Sequence, residues 1–333
     1  VTETVLSGLR PTGRVHLGNY FGAVKNWVDL ERSGKYRCFF FVADLHALTT
    51  DYADTKALAG HTREAVLDWL AVGLDPARST IFLQSRIPQH AELALYFSMI
   101  TPLGWLERVP TYKDQIEQMR SRDLGTHGFL GYPVLQTADI AIYRAHLVPV
   151  GEDQASHLEI CREIVRRFNG LYGPIFPEPK ALFTPTPKVN GIDGRKMSKS
   201  YGNTIGITEA ADAVREKVMA MVTDPARVRR QDPGNPENCN LFPFHELFSP
   251  EAEVSVVDQE CRTAARGCVD CKKHLVGNLN AALEPFRKKR AELLASGTDV
   301  VRDVLHAGDA RARAVAEETM EKVRAAVGLS PEP

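Results

Sequence analysis

The chain has 333 residues, 44% of them hydrophobic and 25% charged, and its 41 Lys and Arg against 42 Asp and Glu leave a formal net charge of −1. That length accommodates one large domain and a smaller one, and the composition is that of a globular protein, which excludes a largely disordered chain or a membrane protein. Balanced charge also excludes a protein that coats nucleic acid indiscriminately, while leaving room for local basic fields.

The opening VTETVLSGLRPTG lacks the basic and apolar regions of a signal peptide, and no apolar run approaches the ~18 residues of a spanning helix, so a cytoplasmic location without membrane contact is expected. TVLSGL (4–9), CFFFVADL (38–45), TIFLQS (80–85) and HLVPVG (146–151) are too apolar for half-exposed strands and are expected to be buried ones. A helix is expected over 54–72, with Asp54 capping its first turn and Leu58, Ala65, Leu67 and Leu70 on its apolar face. Strand and helix alternating in this way imply an α/β fold: a parallel sheet covered on both faces, with ligands bound beyond the carboxyl ends of the strands. From about residue 205 the pattern turns helical, over 208–223, 252–266, 274–295 and 309–327, after a Pro- and Gly-rich join at PTPKVNGIDG (185–194). The expected architecture is a catalytic α/β domain (1–204), a smaller all-helical domain (205–305) and a C-terminal helix (306–333) that packs back on the first domain.

The first strand runs into SGLRPTGRVHLGNY (7–20), where Gly8, Gly13 and Gly18 let the backbone approach a ligand. A helix starting near Gly18 is expected to aim free amide groups and its positive dipole end at phosphate, with His16 and Asn19 at the same mouth. In GRKMSKSYGN (194–203), Lys196 and Lys199 stand three apart between glycines, with hydroxyls at Ser198 and Ser200. Two ammonium groups on such a loop suit the stabilisation of charge on a transferring phosphate, although a lone KxxK is more often a solvated loop. GYPVLQTADI (131–140) sets Asp139 among Leu135, Ala138 and Ile140. A buried carboxylate there either pairs with a nearby cation such as Arg144 or receives a ligand that donates a hydrogen bond.

The HLGN turn after the first strand and KMSKS near the end of an α/β domain resemble the signature pair of class I aminoacyl-tRNA synthetases, and the chain resembles the tryptophanyl-tRNA synthetases along its length, most closely at 6–20, 130–154 and 194–203. Leu17 and Asn19 depart from the commoner class form but are usual in this branch. The resemblance implies a Rossmann-like catalytic domain, a helical domain that binds the tRNA anticodon, and a homodimer. It also implies ATP with Mg²⁺, L-tryptophan and tRNA(Trp) as ligands and partners. Matched residue by residue, it implies ATP contacts from Arg10, Pro11, Thr12, His16, Gly18, Asn19, Gly151, Glu152, Asp153, Val189, Lys196, Met197, Ser198, Lys199 and Ser200. Tryptophan would be held by Asp139 at the indole nitrogen, helped by His46, Gln136 and Gln154, and Lys113 of PTYKDQ would reach pyrophosphate beside Lys196 and Lys199. His46 is equally readable as a structural histidine. The tyrosyl branch typically carries GGSDQ where this chain has GEDQ (151–154), which favours tryptophan over a tyrosine-specific enzyme. A synthetase-like RNA-binding protein without activation chemistry would need neither complete motif.

Four of the six cysteines, Cys239, Cys261, Cys268 and Cys271, fall within 33 residues. In a cytosolic chain such a cluster more often binds metal than forms disulfides. One CxxC with two outlying cysteines suits four thiolates on a [4Fe–4S] cluster as well as or better than Zn²⁺, and spacing alone does not choose. Some bacterial tryptophanyl-tRNA synthetases carry such a cluster through a similar pattern, with one residue more in the long gap. Cys38 and Cys161 are expected in the core. Around the cluster, Arg262, Arg266, Lys272, Lys273, Arg287, Lys288, Lys289 and Arg290 oppose only Asp270 and Glu284 within 261–290, a field suited to RNA phosphate.

Overall fold

The computed structural model describes residues 2–109, 112, 124–151, 155–183 and 189–329. Five parallel strands, β1 (Thr4–Leu9), β2 (Arg37–Val42), β3 (Thr80–Leu83), β4 (Leu147–Val150) and β5 (Lys180–Phe183), form one sheet in the order β3-β2-β1-β4-β5. The order reverses at β1, so the carboxyl ends of β1 and β4 open a crevice where chain segments diverge to opposite sides. The first expected strand has the expected bounds, and the other three are present but end early. The second stops at Val42 because Asp44 starts a helix, α2 (Asp44–Asp51), after the apolar run; its Oδ1 accepts from the Leu45 and Ser85 amides at 3.1 and 2.9 Å. The third stops at Leu83, and Gln84–Arg86 form a 3₁₀ turn. These two early endings place His46 and Gln84 just past the sheet.

Helices α1 (Lys25–Ser33) and α3 (Leu58–Ala71) pack on one face, where Trp27 stacks on Phe40 and meets Trp69 edge-on. The other face is covered by α4 (Gln89–Ile100), α5 (Tyr132–Ile142) and α6 (Ala155–Tyr172). Asp54 does not cap α3, which begins four residues later after Ala57; its carboxylate serves the Lys56 amide instead. Cys38 and Cys161 are buried as expected, and burial pushes their thiols up to about 11 and about 12.

Beyond residue 204 follow α7 (Ala211–Ala220), α8 (Phe242–Phe248), α9 (Glu251–Arg262), α10 (Cys268–Ala295) and α11 (Val300–Ala326). Val214, Val218, Leu275, Leu279 and Leu283 of these helices join the same apolar cluster as Trp27 and Trp69. The last helix, α11, starts at Val300 rather than 309 and lies along edge strand β3. Its Asp309 accepts from the Leu83 amide at 2.9 Å and pairs with Arg86, which occupies a strand edge that would otherwise offer unpaired amides. Gly308 makes this approach feasible: a Cβ there would fall 1.7 Å from the Ile81 carbonyl oxygen. Among the described residues no helix is long and apolar enough to cross a membrane.

Candidate active site

A cleft of ≈ 1350 Å³ opens at the carboxyl ends of β1 and β4. Its floor is β1, where Gly8 lies opposite Phe41 of β2; a Cβ on Gly8 would strike the Phe41 ring at 2.5 Å, so the glycine keeps the floor flat. Of the residues expected from sequence, Arg10, His16, Gly18, Asn19, His46, Gln136, Asp139, Gly151, Val189, Lys196 and Met197 line the cleft. Lys113, Glu152, Asp153 and Gln154 lie outside the described residues. Pro11, Thr12, Ser198, Lys199 and Ser200 do not line it: Pro11 is buried, Thr12 exposed, and the Ser198 and Ser200 hydroxyls face one another at 2.8 Å.

Asp139 sits on α5 at one end of the cleft and is almost wholly buried. It is not paired with Arg144, which is exposed and sits in a left-handed turn at φ 49° after the helix. Nor is it unpaired. His46 Nε2 lies 2.7 Å from Oδ2, and Gln84 Nε2 and His90 Nδ1 reach Oδ1 at 2.7 and 2.6 Å. Burial opposes its ionised form, but the charge and hydrogen bonds of His46, with those of His90, outweigh it and hold the carboxyl below its ordinary range. Sequence reasoning missed Gln84 and His90. The available signal was a Gln directly after an apolar strand and a His seven residues past the strand's end, in TIFLQSRIPQH, where a buried amide or imidazole requires a partner.

The HLGN turn differs from expectation. The amides at the start of the short helix Leu17–Asn19 are already used: Leu17 donates to the Ile205 carbonyl at 2.9 Å, Gly18 to Met197 Sδ at 3.4 Å and Asn19 to His16 Nδ1 at 3.3 Å. The expected cradle of free amides is therefore absent at these three positions, because the segment from Met197 to Ile205 folds over the first two and the His16 ring caps the third. His16 is the cap of this turn, and burial followed by the nearby Lys199 charge lowers its pKa to about 4. It is neutral near pH 7, and since Nδ1 accepts, its proton is on Nε2. Gly18 makes room for this ring, which a Cβ would meet at 3.0 Å.

The KMSKS segment is anchored across 187 residues by Lys199, whose ammonium donates to the Thr12 carbonyl. Burial lowers the Lys199 pKa to about 8 against the opposing pull of Asp68. Asn203 fastens the loop from within: Oδ1 accepts from the Ser198 amide at 2.8 Å, and Nδ2 donates to Asp193 and the Lys196 carbonyl at 2.8 and 3.1 Å. Gly191 leaves the space Asn203 fills, since a Cβ there would lie 2.1 Å from Nδ2.

The four clustered cysteines come from the turn before α8, the end of α9 and the first turn of α10, and no disulfide joins them. Burial raises the Cys271 thiol to about 12, with Cys239, Cys261 and Cys268 adding to the rise and Arg266 opposing it. The basic field around them is smaller than the sequence implies. Arg290 is buried in an ion pair, Arg266 binds Glu260, and Lys272 and Arg287 donate to the Met219 and Glu209 carbonyls. Lys273, Lys288 and Lys289 are exposed.

A parallel sheet reversing at β1, with a histidine-capped turn and a lysine loop over its carboxyl end, is an α/β fold that binds ligands past its strand ends, and residues 2–284 match the family of tRNA synthetases class I (W and Y). The chain is 52% identical to the tryptophan–tRNA ligase of Thermotoga maritima, over 98% of this chain and 99% of that one, and 47% identical to that of Deinococcus radiodurans, over 98% of each. The tryptophanyl-tRNA synthetase of Campylobacter jejuni, solved with ADP and tryptophan, superposes with a TM-score of 0.87 at 36% identity, covering 98% of this chain and 100% of that one. The chain belongs to the tryptophanyl-tRNA synthetases.

Proposed function

We propose that the chain activates L-tryptophan with ATP to tryptophanyl-adenylate and transfers the tryptophanyl group to tRNA(Trp), releasing AMP and diphosphate. The observation that carries the amino-acid assignment is Asp139, an ionised carboxylate in an otherwise largely apolar end of the cleft, beside Ile140, Val148 and Phe129. The indole N–H is a donor with no acceptor capacity, and a carboxylate is acceptor-only, so the two are matched. His46 both lines the cleft and holds Asp139, which joins its structural and substrate-orienting readings. Gln136, one turn before Asp139 on α5, borders the same space.

ATP occupies the side bounded by Arg10, His16, Gly18, Asn19, Gly151, Val189 and Met197. Arg10 is steadied by Asp51 at 2.9 Å, and His16 offers its Nε2 proton to a phosphate oxygen. The tryptophan carboxylate attacks the α-phosphorus, forming an acyl–phosphate bond while the bond to diphosphate breaks. Mg²⁺ accompanying ATP supplies positive charge on the phosphates. Lys196 lines the cleft, and the Lys199 ammonium is held at the Thr12 carbonyl, two residues past Arg10 of the lining; both stabilise charge on the departing diphosphate. A ribose hydroxyl of the terminal tRNA adenosine then attacks the adenylate carbonyl and AMP leaves. Orientation and fixed charge suffice, with no covalent enzyme intermediate.

Cys239, Cys261, Cys268 and Cys271 hold one [4Fe–4S] cluster in this reading. Its support is that the four thiols come from three segments close enough for burial and the neighbouring cysteines to raise the Cys261 and Cys271 thiols, a rise that deprotonation onto a cluster relieves. Among the described residues no group of three or more His, Cys, Asp or Glu is placed to hold a metal ion, so the choice between the cluster and Zn²⁺, its alternative, rests on the cysteine spacing. The cluster would organise the helical region for tRNA. A homodimer belongs to the same reading, and its support is an apolar face at α4 and the turn after it, where Leu95, Met99 and Leu103 are 56%, 71% and 64% exposed.

ATP–pyrophosphate exchange with each amino acid tests the proposal: exchange with tryptophan alone is expected. Exchange with tyrosine instead, or with none, overturns it.

A further inference from the structure

Behind Asp139, and outside the cleft lining, two more side chains continue its hydrogen-bond network. His90 is fully buried on α4, and its Nε2 lies 2.8 Å from the hydroxyl of Tyr143, the residue that ends α5. We propose that Tyr143 and His90 are specificity-determining positioning residues, a relay that fills one oxygen of Asp139 and leaves the other open to a single N–H donor. This deepens, and rests on, the assignment of Asp139 as the acceptor for tryptophan.

The argument is a count of donors. Burial, with the charges of Asp139 and Asp309, keeps the Tyr143 phenol protonated well above the ordinary range. When the imidazole is neutral, that hydroxyl donates to Nε2 and forces the His90 proton onto Nδ1; when the imidazole is charged, Nδ1 carries a proton as well. In both states Nδ1 donates to Asp139 Oδ1. Gln84 supplies a second donor to the same oxygen, and its own Oε1 accepts from the Leu45 amide at 3.1 Å, which sets the amide orientation. Oδ1 is thereby full. Oδ2 receives only His46 among these partners and retains one acceptor position, on a carboxylate that borders the cleft. The rings are held in place by packing: Tyr143 stacks on Phe39 at 4.8 Å and meets Phe82 edge-on at 5.2 Å. Without the phenol proton, the imidazole is free to adopt the other tautomer and turn its Nδ1 lone pair on Oδ1, which displaces the carboxylate.

The test compares tryptophan with benzothienylalanine, an isostere in which sulfur replaces the indole N–H, by ATP–pyrophosphate exchange on the full-length enzyme. Tyr143→Phe and His90→Leu are expected to lower kcat/KM for tryptophan by about 10-fold or more, the size of one hydrogen bond to a charged group. They should leave the isostere within about 2-fold, so that discrimination narrows. His90→Asn, whose amide nitrogen takes the place of Nδ1, should retain most of the discrimination. Equal losses on both substrates would make the pair core packing and overturn the proposal, as would no loss on either. If His90→Leu does not fold, Tyr143→Phe, which deletes one oxygen, decides. Asp139→Ala separates the two levels: undiminished discrimination in that variant would remove the tryptophan assignment itself, whereas lost discrimination there with none lost in Tyr143→Phe would remove only the relay.

Discussion

Arg290 is the most informative residue to replace. It lies on α10, yet its guanidinium is buried against Asp68 of α3, and its second nitrogen reaches Glu64 at 2.7 Å. The fully buried Asp68 also accepts from the Val15 amide at 2.7 Å and the Thr208 hydroxyl at 2.8 Å. One carboxylate thus joins the entry to the HLGN turn, the segment after KMSKS and the helical region. Replacing Arg290 with Met keeps much of the volume but leaves Asp68 without its cation. Removing one partner of a buried pair costs about 3–5 kcal/mol, and the two remaining donors place this case near about 3 kcal/mol. Burial already raises the Asp68 pKa despite Arg290, Val15 and Thr208, so the folded state binds more protons than the unfolded one above pH ~4, and the stability contributed by Asp68 falls as pH rises through that window. Losing Arg290 raises the folded pKa further. The deficit of Arg290→Met should therefore be smaller at about pH 5 than at about pH 7.5, as measured by urea denaturation at both. Asp68→Asn in the same chain should restore at least half of it, since removing both partners is far less damaging than removing one. A loss under about 1 kcal/mol near neutrality, or a double variant no better than the single, would refute the buried pair as the joint.

Lys199, with a pKa of about 8, should lose its charge as pH rises through that value, so ATP-dependent exchange should decline there. Lys199→Arg should move the decline upward, and an unchanged profile would remove Lys199 from the charge stabilisation. Gly308→Ala should lower stability by about 3 kcal/mol, because its Cβ would meet backbone of β3 rather than a movable side chain. An unchanged melting temperature would contradict the close approach of α11. Serine at any of Cys239, Cys261, Cys268 or Cys271 should impair tRNA charging while exchange with tryptophan stays mostly intact. Anaerobic protein should contain about four irons per chain, whereas one zinc and no iron would overturn the cluster.

The apolar runs of β1 to β4, the HLGN and KMSKS strings and the position of Asp139 were all legible in the sequence, because each depends on neighbours a few residues away. Apolar content marks a buried strand wherever it lies in the sheet, and a loop with two lysines between glycines keeps its chemistry in any orientation. The partners of these groups were not legible. Asp139 is held by residues 93, 55 and 49 positions away, and Asp68 by one 222 positions away. Only the strand order brings α2, the turn after β3, and α4 to the same end of α5. Two amides of the HLGN turn, those of Leu17 and Gly18, looked free because the segment that occupies them begins nearly 180 residues later, at Met197. Arg290 looked like one more cation of a solvated basic field for the same reason: charge is a local property of sequence, whereas burial and pairing depend on which distant carboxylate the fold presents to it.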